Sequence, residues 1–168
     1  ISLGLVGSEM CIRDRLKNVP SLFVSSQQNY SQDTRISIRG FGTRAPFGIR
    51  GIKILLDGIP ITTPDGQSQL DHIPQSIIGD IEVIRGISSG LYGNASGGVI
   101  MIKSIPLKKR FYNSISFADF NTKQIDLLID NQSENGQVRF GFEHKRSLGY
   151  RKWSGHENSI LYLSLIHI

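Results

Sequence analysis

Val138-Arg139-Phe140-Gly141-Phe142-Glu143 sets Val138, Phe140 and Phe142 against Arg139, Gly141 and Glu143. Successive side chains of an extended chain leave opposite faces, so this run reads as a strand with one apolar and one polar face. Working outward, Ile115 and Phe117 alternate with Ser114, Ser116 and Ala118, while Ile125, Leu127 and Ile129 alternate with Gln124, Asp126 and Asp130. Ile160 and Tyr162 begin the apolar face of a fourth run. The pattern predicts successive antiparallel strands of about ten residues each. Connections at 119–122 and 132–136 are tight, whereas 147–157 (SLGYRKWSGHE) is long and carries Tyr150 and Trp153. Short turns on one rim and longer loops on the other describe a transmembrane β-barrel whose apolar residues face lipid. A soluble sandwich has the same alternation, and periodicity leaves both open.

Upstream, residues 16–103 have a different texture, with short β-like runs broken by glycines. Arg35-Ile36-Ser37-Ile38-Arg39 alternates at period two, with Ile36 and Ile38 on one face, and stops at Gly40 and Gly42. A second run, 52–56, reaches the turn signal Asp57-Gly58 and resumes at Ile59-Pro60-Ile61. Pro60 has no amide to donate, which puts that arm at a sheet edge. Residues 62–69 (TTPDGQSQ) are loop chemistry, and Pro74 opens a short helix over 74–79. Residues 81–84 read as a third strand, 88–98 as a glycine-dense loop with one helical turn near Leu91-Tyr92, and 99–102 as a buried strand. The expectation is a small mixed α+β domain with long polar loops.

Residues 5–15 (LVGSEMCIRDR) and 163–168 (LSLIHI) match neither texture. They resemble translations, on opposite strands, of one adapter used to build sequencing libraries, and residues 1–15 and 163–168 are set aside on that reading. The single Cys of the chain, Cys11, goes with them, which removes thiol catalysis and disulfides from residues 16–162. The chain has 168 residues and a net charge of +5, spread over both textures rather than gathered in a stripe. Nucleic-acid binding wants a basic face with stacking aromatics, and no nucleic-acid partner is expected. The longest apolar runs, 54–56 and 99–102, fall far below the roughly 18 residues of a membrane helix.

Four blocks in order carry a resemblance: Ile38-Arg39-Gly40-Phe41-Gly42, Leu55-Leu56-Asp57-Gly58-Ile59-Pro60, Ile81-Glu82-Val83-Ile84-Arg85-Gly86, and Leu91-Tyr92-Gly93-Asn94-Ala95-Ser96-Gly97-Gly98-Val99-Ile100. Together they resemble the plug domain of TonB-dependent outer-membrane receptors, with Ile87 standing where the family usually has Pro. The resemblance implies an α+β plug domain, a small mixed β-sheet with short helices, at 16–107. At 108–162 it implies the first antiparallel strands of a transmembrane β-barrel, which in full has about 22 strands. It further implies a receptor of the bacterial outer membrane, bounded by outer-membrane lipid, that imports a ferric siderophore or another bulky, scarce nutrient. The energy-coupling partner, TonB, would dock on a segment upstream of the plug by strand addition, and that segment is expected to be missing here.

The glycine loops complete no nucleotide motif, since Gly40-Phe41-Gly42 lacks a third glycine and 90–98 is not followed by Lys-Ser or Lys-Thr. His72, His144 and His156 are scattered, and Asp71-His72 keeps no nucleophile nearby, so neither a metal site, nor a cofactor, nor an enzyme is expected. In the family, plug loops touch cargo at 43–50 and 62–69, which here offer Thr43, Arg44, Arg50, Thr63, Asp65 and Gln67. Arg44 and Arg50 suit an anionic chelate; the same residues could simply solvate the loops. Arg39 and Arg85 match family arginines that pair with glutamates of the barrel wall as a plug latch, and an internal pair with Glu82 is the alternative. A soluble, basic, β-rich binding module is the competing class. Without the rest of a barrel, the stripe running from Ile115 to Phe142 would be wet, and the chain is expected to self-associate in water.

Overall fold

The computed structural model describes residues 15–17, 19–25, 34–45, 48–105, 111–133 and 136–167. These divide into two compact units, one running through Asp71 and resuming over Ile78–Ile105, the other joining His72–Ile77 to the residues from 111 onward.

The first unit is built on β1 (Leu22–Ser25), β2 (Arg35–Ile38), β3 (Ile49–Arg50), β4 (Ile52–Leu56), β5 (Ile59–Pro60), β6 (Gln67–Ser68), β7 (Ile78–Arg85) and β8 (Gly98–Ser104). Its main sheet has the order β5-β4-β8-β7, with β4 and β8 parallel and the outer pairs antiparallel. Ile52, Ile54, Ile100 and Ile102 are buried on one face and Leu55 and Val99 on the other, as a strand pair covered on both sides requires. Ala95, Ile84, Tyr92 and Met101 close over Leu55 and Val99. Asp57 and Gly58 both take positive φ, 50° and 83°, which makes the two-residue turn that returns β4 into β5. Pro60 lies on the edge strand, where its missing amide costs nothing.

Several elements depart from the sequence reading. Before β2 the chain holds a single helical turn at 15–17 and then β1, which pairs antiparallel with β2 and which the sequence reading does not separate from its surroundings. The helix expected over 74–79 is a three-residue 3-10 turn, Gln75–Ile77, because Ile78 already belongs to a ladder with β8. β7 starts three residues earlier than the expected 81, carried across an irregularity between Ile78 and Ile81. The helical turn of the glycine loop falls at Ser89–Tyr92.

In the second unit β9 (Phe111–Ala118), β10 (Thr122–Ser133), β11 (Gly136–Ser147) and β12 (His156–His167) form one antiparallel meander in the order β12-β11-β10-β9. Its polarity is inverted relative to a soluble sheet. Phe117 is 74% exposed while Glu143 is 3% exposed. Ile115, Ile125, Ile129, Val138, Leu161, Leu163 and Leu165 share the exposed face, and Gln124, Asp126, Asp130, Arg139 and Lys145 share the buried one. The fourth run has the opposite phase from its expected one. Ile160 pairs with Glu143 and Tyr162 with Gly141 on the inward face, while Leu161, Leu163 and Leu165 face outward. β12 continues in register with β11 through residues 163–167, which the sequence reading had set aside. The rims also differ from expectation. In a meander the first and third connections share a rim, so the tight turn at 119–121 sits beside the long loop at 148–155, joined by Leu148 N–H donating to Phe120 O at 3.0 Å.

Two glycines separate strain from contact. A Cβ on Gly98, at φ 144°, would lie 2.4 Å from the Ile84 carbonyl oxygen of β7, whereas one on Gly58, at φ 83°, meets nothing within 4 Å. Gly58→Ala is expected to cost about 1 kcal/mol of conformational strain. Gly98→Ala should cost about 3 kcal/mol or more, since the β7–β8 ladder must also open. Denaturant unfolding of the chain in detergent micelles, followed by circular dichroism, checks this; equal costs would contradict the close approach.

Candidate functional site

The loops at 43–50 and 62–69 are tied together by a two-residue ladder, Ile49 opposite Ser68 and Arg50 opposite Gln67. This ladder brings four of the six expected contact residues into one cluster. Thr63 Oγ1 donates to Asp65 Oδ1, and the same oxygen lies 2.8 Å from Gln67 O. Gln67 N–H donates to Asp65 Oδ1 at 3.4 Å, and Arg50 donates to Gln67 Oε1 at 3.4 Å. The hydrogen bond from the Thr63 hydroxyl, then the one from the Gln67 amide, with the Arg50 charge adding, hold the Asp65 carboxyl below its ordinary 3.8.

Thr43 and Arg44 stand apart from that cluster. Thr43 Oγ1 donates back to Gly40 O at 2.8 Å, closing the turn that follows β2. Arg35, half-buried on β2, donates to Ala45 O at 2.7 Å and so fixes the backbone that presents Arg44. Arg44 is exposed and makes no hydrogen bond or ion pair among the described residues. Arg50 shares its field with Asp65, whereas Arg44 has no carboxylate partner among the described residues.

Below the loops, Ile54 N–H donates to Thr62 Oγ1 at 2.9 Å, and Ser68 Oγ donates to the same oxygen at 2.7 Å. The cluster is thereby fixed to the central strand. Asn94 Nδ2 donates to Pro64 O at 3.3 Å, bringing the glycine-dense loop against 62–66. Asn94 and Arg35 are supports that the sequence reading missed; both act across gaps in sequence that no local pattern reports.

Of the expected latch residues, Arg39 takes φ 51° in the turn between Ile38 and Phe41, whose backbones exchange hydrogen bonds of 3.0 and 2.9 Å. Its side chain is exposed. Arg85 donates to Pro20 O at 3.2 Å. Glu82 pairs with Lys103 at 3.3 Å rather than with Arg85, because residues three apart on a strand point to opposite faces. Within the second unit, Gln75 N–H donates to Glu143 Oε2 at 2.7 Å, a contact between the 3-10 turn and the inward face of β11 that the sequence reading missed.

Residues 10–99 match the family model of the TonB-dependent receptor plug domain. The chain is 32% identical over 143 residues to the vitamin B12 transporter of Vibrio vulnificus (strain YJ016), covering 82% of this chain and 22% of the transporter. It is 32% identical over 94 residues to the hemin receptor of Yersinia enterocolitica, covering 55% of this chain and 12% of that receptor. Among solved structures, the ferric yersiniabactin uptake receptor of Yersinia pestis superposes on 97% of this chain and 26% of its own, with TM-score 0.63 and 20% identity. The pyoverdine outer membrane receptor of Pseudomonas aeruginosa PAO1 superposes on 92% of this chain and 22% of its own, with TM-score 0.62 and 18% identity. The chain thus spans about a fifth of the vitamin B12 transporter it matches.

The Asp65 network makes a signed prediction. Its folded pKa is depressed, so the order it lends to the 62–69 loop is present above 3.8 and is lost as pH falls through the lower, folded value. Thr63→Val removes the hydroxyl hydrogen bond to the carboxylate and should move the Asp65 titration up toward 3.8, read from the side-chain carboxyl carbon by NMR. An unmoved titration would contradict the network.

Proposed function

The chain belongs to the TonB-dependent receptors of the bacterial outer membrane through its plug domain, and from that membership we propose that it serves energy-coupled uptake of a ferric siderophore or a similar bulky metal chelate. Residues 16–107 act as the plug and 108–162 as the first strands of the barrel wall; residues 1–15 and 163–168 resemble adapter translation, while 163–167 pair in register as the end of β12, and resequencing the locus decides their origin. The observation that carries the reading is the inverted sheet β9–β12, apolar outward and polar inward, in one chain with a plug of matching fold. A soluble β-rich module would place those faces the other way round.

For cargo contact the cluster of Arg50, Thr63, Asp65 and Gln67 acts as a polar platform, and Arg44 with Thr43 as its cationic edge. An anionic chelate gains charge-assisted hydrogen bonds from Arg44 without first displacing a protein carboxylate. Arg39 and Arg85 remain candidates to hold the plug within the barrel, and TonB is the coupling partner that the family implies. A corrinoid cargo is the second reading, favoured by the identity with the vitamin B12 transporter.

In the full-length receptor, Arg44→Ala together with Arg50→Ala should weaken binding of a ferric chelate by about 1 to 3 kcal/mol, most of it from Arg44. Titration against ferric siderophores and cobalamin in parallel measures this. Unchanged affinity for every ferric chelate, with saturable cobalamin binding, would replace the first cargo by the second.

A further inference from the structure

The outward face of the β9–β12 sheet ends at one rim in a feature that cargo uptake does not use. Lys123 and Arg146 lie directly opposite one another on β10 and β11, both exposed, on the face that carries Ile115, Phe117, Ile125 and Leu161 together with the hydrogen-bonded pair His144 and Ser159. Like charges at a cross-strand pair repel. Arg146 has Glu157 at 3.9 Å, with both side chains more than half exposed. Lys123 has no hydrogen bond or ion pair among the described residues. On the same rim the 148–155 loop adds two more cations, each laid over a ring: the Arg151 guanidinium 4.7 Å from the Tyr150 centroid and Lys152 Nζ 5.8 Å from that of Trp153. Tyr150 in turn rests against Phe120 of the neighbouring turn, their centroids 6.1 Å apart. Trp153 is 92% exposed.

Stacking orders a guanidinium while leaving its in-plane N–H groups free, so Arg151 is held ready for an acceptor it does not have here. Among the described residues at the opposite rim, the outward positions Phe111, Ile129, Asn131, Val138 and Leu165 carry no charge. One rim of a lipid-facing wall thus combines exposed aromatics, which sit at headgroup depth, with four cations against Glu157 and Asp119. We propose that this rim, Lys123 and Arg146 with Arg151 and Lys152, binds the phosphate groups of an anionic lipid in the leaflet it meets. The phosphate relieves the Lys123–Arg146 repulsion, and the rings fix the depth of the site. The proposal rests on the outer-membrane reading for its lipid-facing direction and goes beyond it in assigning a ligand.

Trp153 is the single tryptophan of the chain and reports from the site itself. The whole chain is reconstituted in vesicles of phosphatidylcholine and phosphatidylglycerol in equal parts, with one or the other lipid brominated. Brominated phosphatidylglycerol should quench Trp153 at least about twofold more than brominated phosphatidylcholine does. Lys123→Gln, Arg151→Gln and Lys152→Gln together should bring the two lipids to equal quenching. Lys17→Gln, Lys53→Gln and Lys103→Gln, with the same change in net charge, should keep the preference. Equal quenching in the unaltered chain, or loss of preference in both triple variants, overturns the site. Loss of preference on adding inorganic phosphate in large excess at constant ionic strength assigns the cations to free phosphate and overturns the lipid. Quenching by neither lipid overturns the membrane reading and the proposal with it.

Discussion

Parallel strands cannot be joined by a tight turn, and the pairing of β4 with β8 imposes that constraint on everything between them. Residues 57–97 must travel from one end of the pair back to the other. In doing so they form the Asp57-Gly58 hairpin, the loop that carries Thr63, Asp65 and Gln67, the turn at Gln75–Ile77, strand β7 and the glycine-dense loop. Asp57 secures the start of this crossover, donating its N–H to Ile102 O at 2.9 Å and accepting Ser104 N–H on its carboxylate at 2.7 Å. The cluster of Thr63, Asp65 and Gln67 is therefore an obligatory by-product of the topology. Once β4 and β8 run parallel with both faces covered, the polar part of the crossover can only emerge beyond the strand ends.

What could be read in the sequence follows from how much of each element is periodic. Ile36 and Ile38, the Asp-Gly turn and the alternation of Ile115, Ile125 and Phe142 repeat enough to be seen, and the structure has strands at the alternating runs and a turn at Asp57-Gly58. β3 and β6 have two residues each, and two residues hold no period. What holds β6 in place is not local: its Ser68 donates to Thr62 Oγ1, which also accepts Ile54 N–H of the central strand. β1 is legible only through its partner β2, since Leu22-Phe23-Val24-Ser25 shows no alternation of its own. The fourth run was misphased because Ile160 and Tyr162 were read without the leucines at 161, 163 and 165 that outweigh them.

The candidate site was legible as a set of residue types and illegible as an arrangement. Sequence placed six polar residues on two loops, yet only long-range partners decide that Arg50 shares a field with Asp65 while Arg44 does not. Arg35 to Ala45 and Asn94 to Pro64 are such partners, separated by 10 and 30 residues. Electrostatic roles are distributed by these contacts, so two arginines that look equivalent in a loop differ in how much charge each presents to solvent.

The inward face of the β9–β12 sheet raises the corresponding question of burial. Arg139 pairs with Asp130 at 2.9 Å with both side chains nearly dry, and Gln137 donates to both oxygens of the same carboxylate at 3.0 and 2.9 Å. Such a pair gives little net stability, because desolvation offsets most of the attraction, but it fixes which strand residues stand opposite. Glu143, 3% exposed, also lies on this inward face, where a carboxylate is costly unless hydrogen-bonded. Its donor comes from outside the sheet. Pro74 has no amide, so Gln75 supplies the first N–H of the turn that Ile77 N–H closes on Pro74 O at 3.3 Å. Ile73 and Ile77, both buried, flank that donor. The sequence Ile-Pro-Gln-Ser-Ile thus delivers one unspent amide between two apolar anchors to the carboxylate that needs it. His72–Ile77 accordingly belongs to the same unit as β9–β12, although both its neighbours in sequence belong to the other.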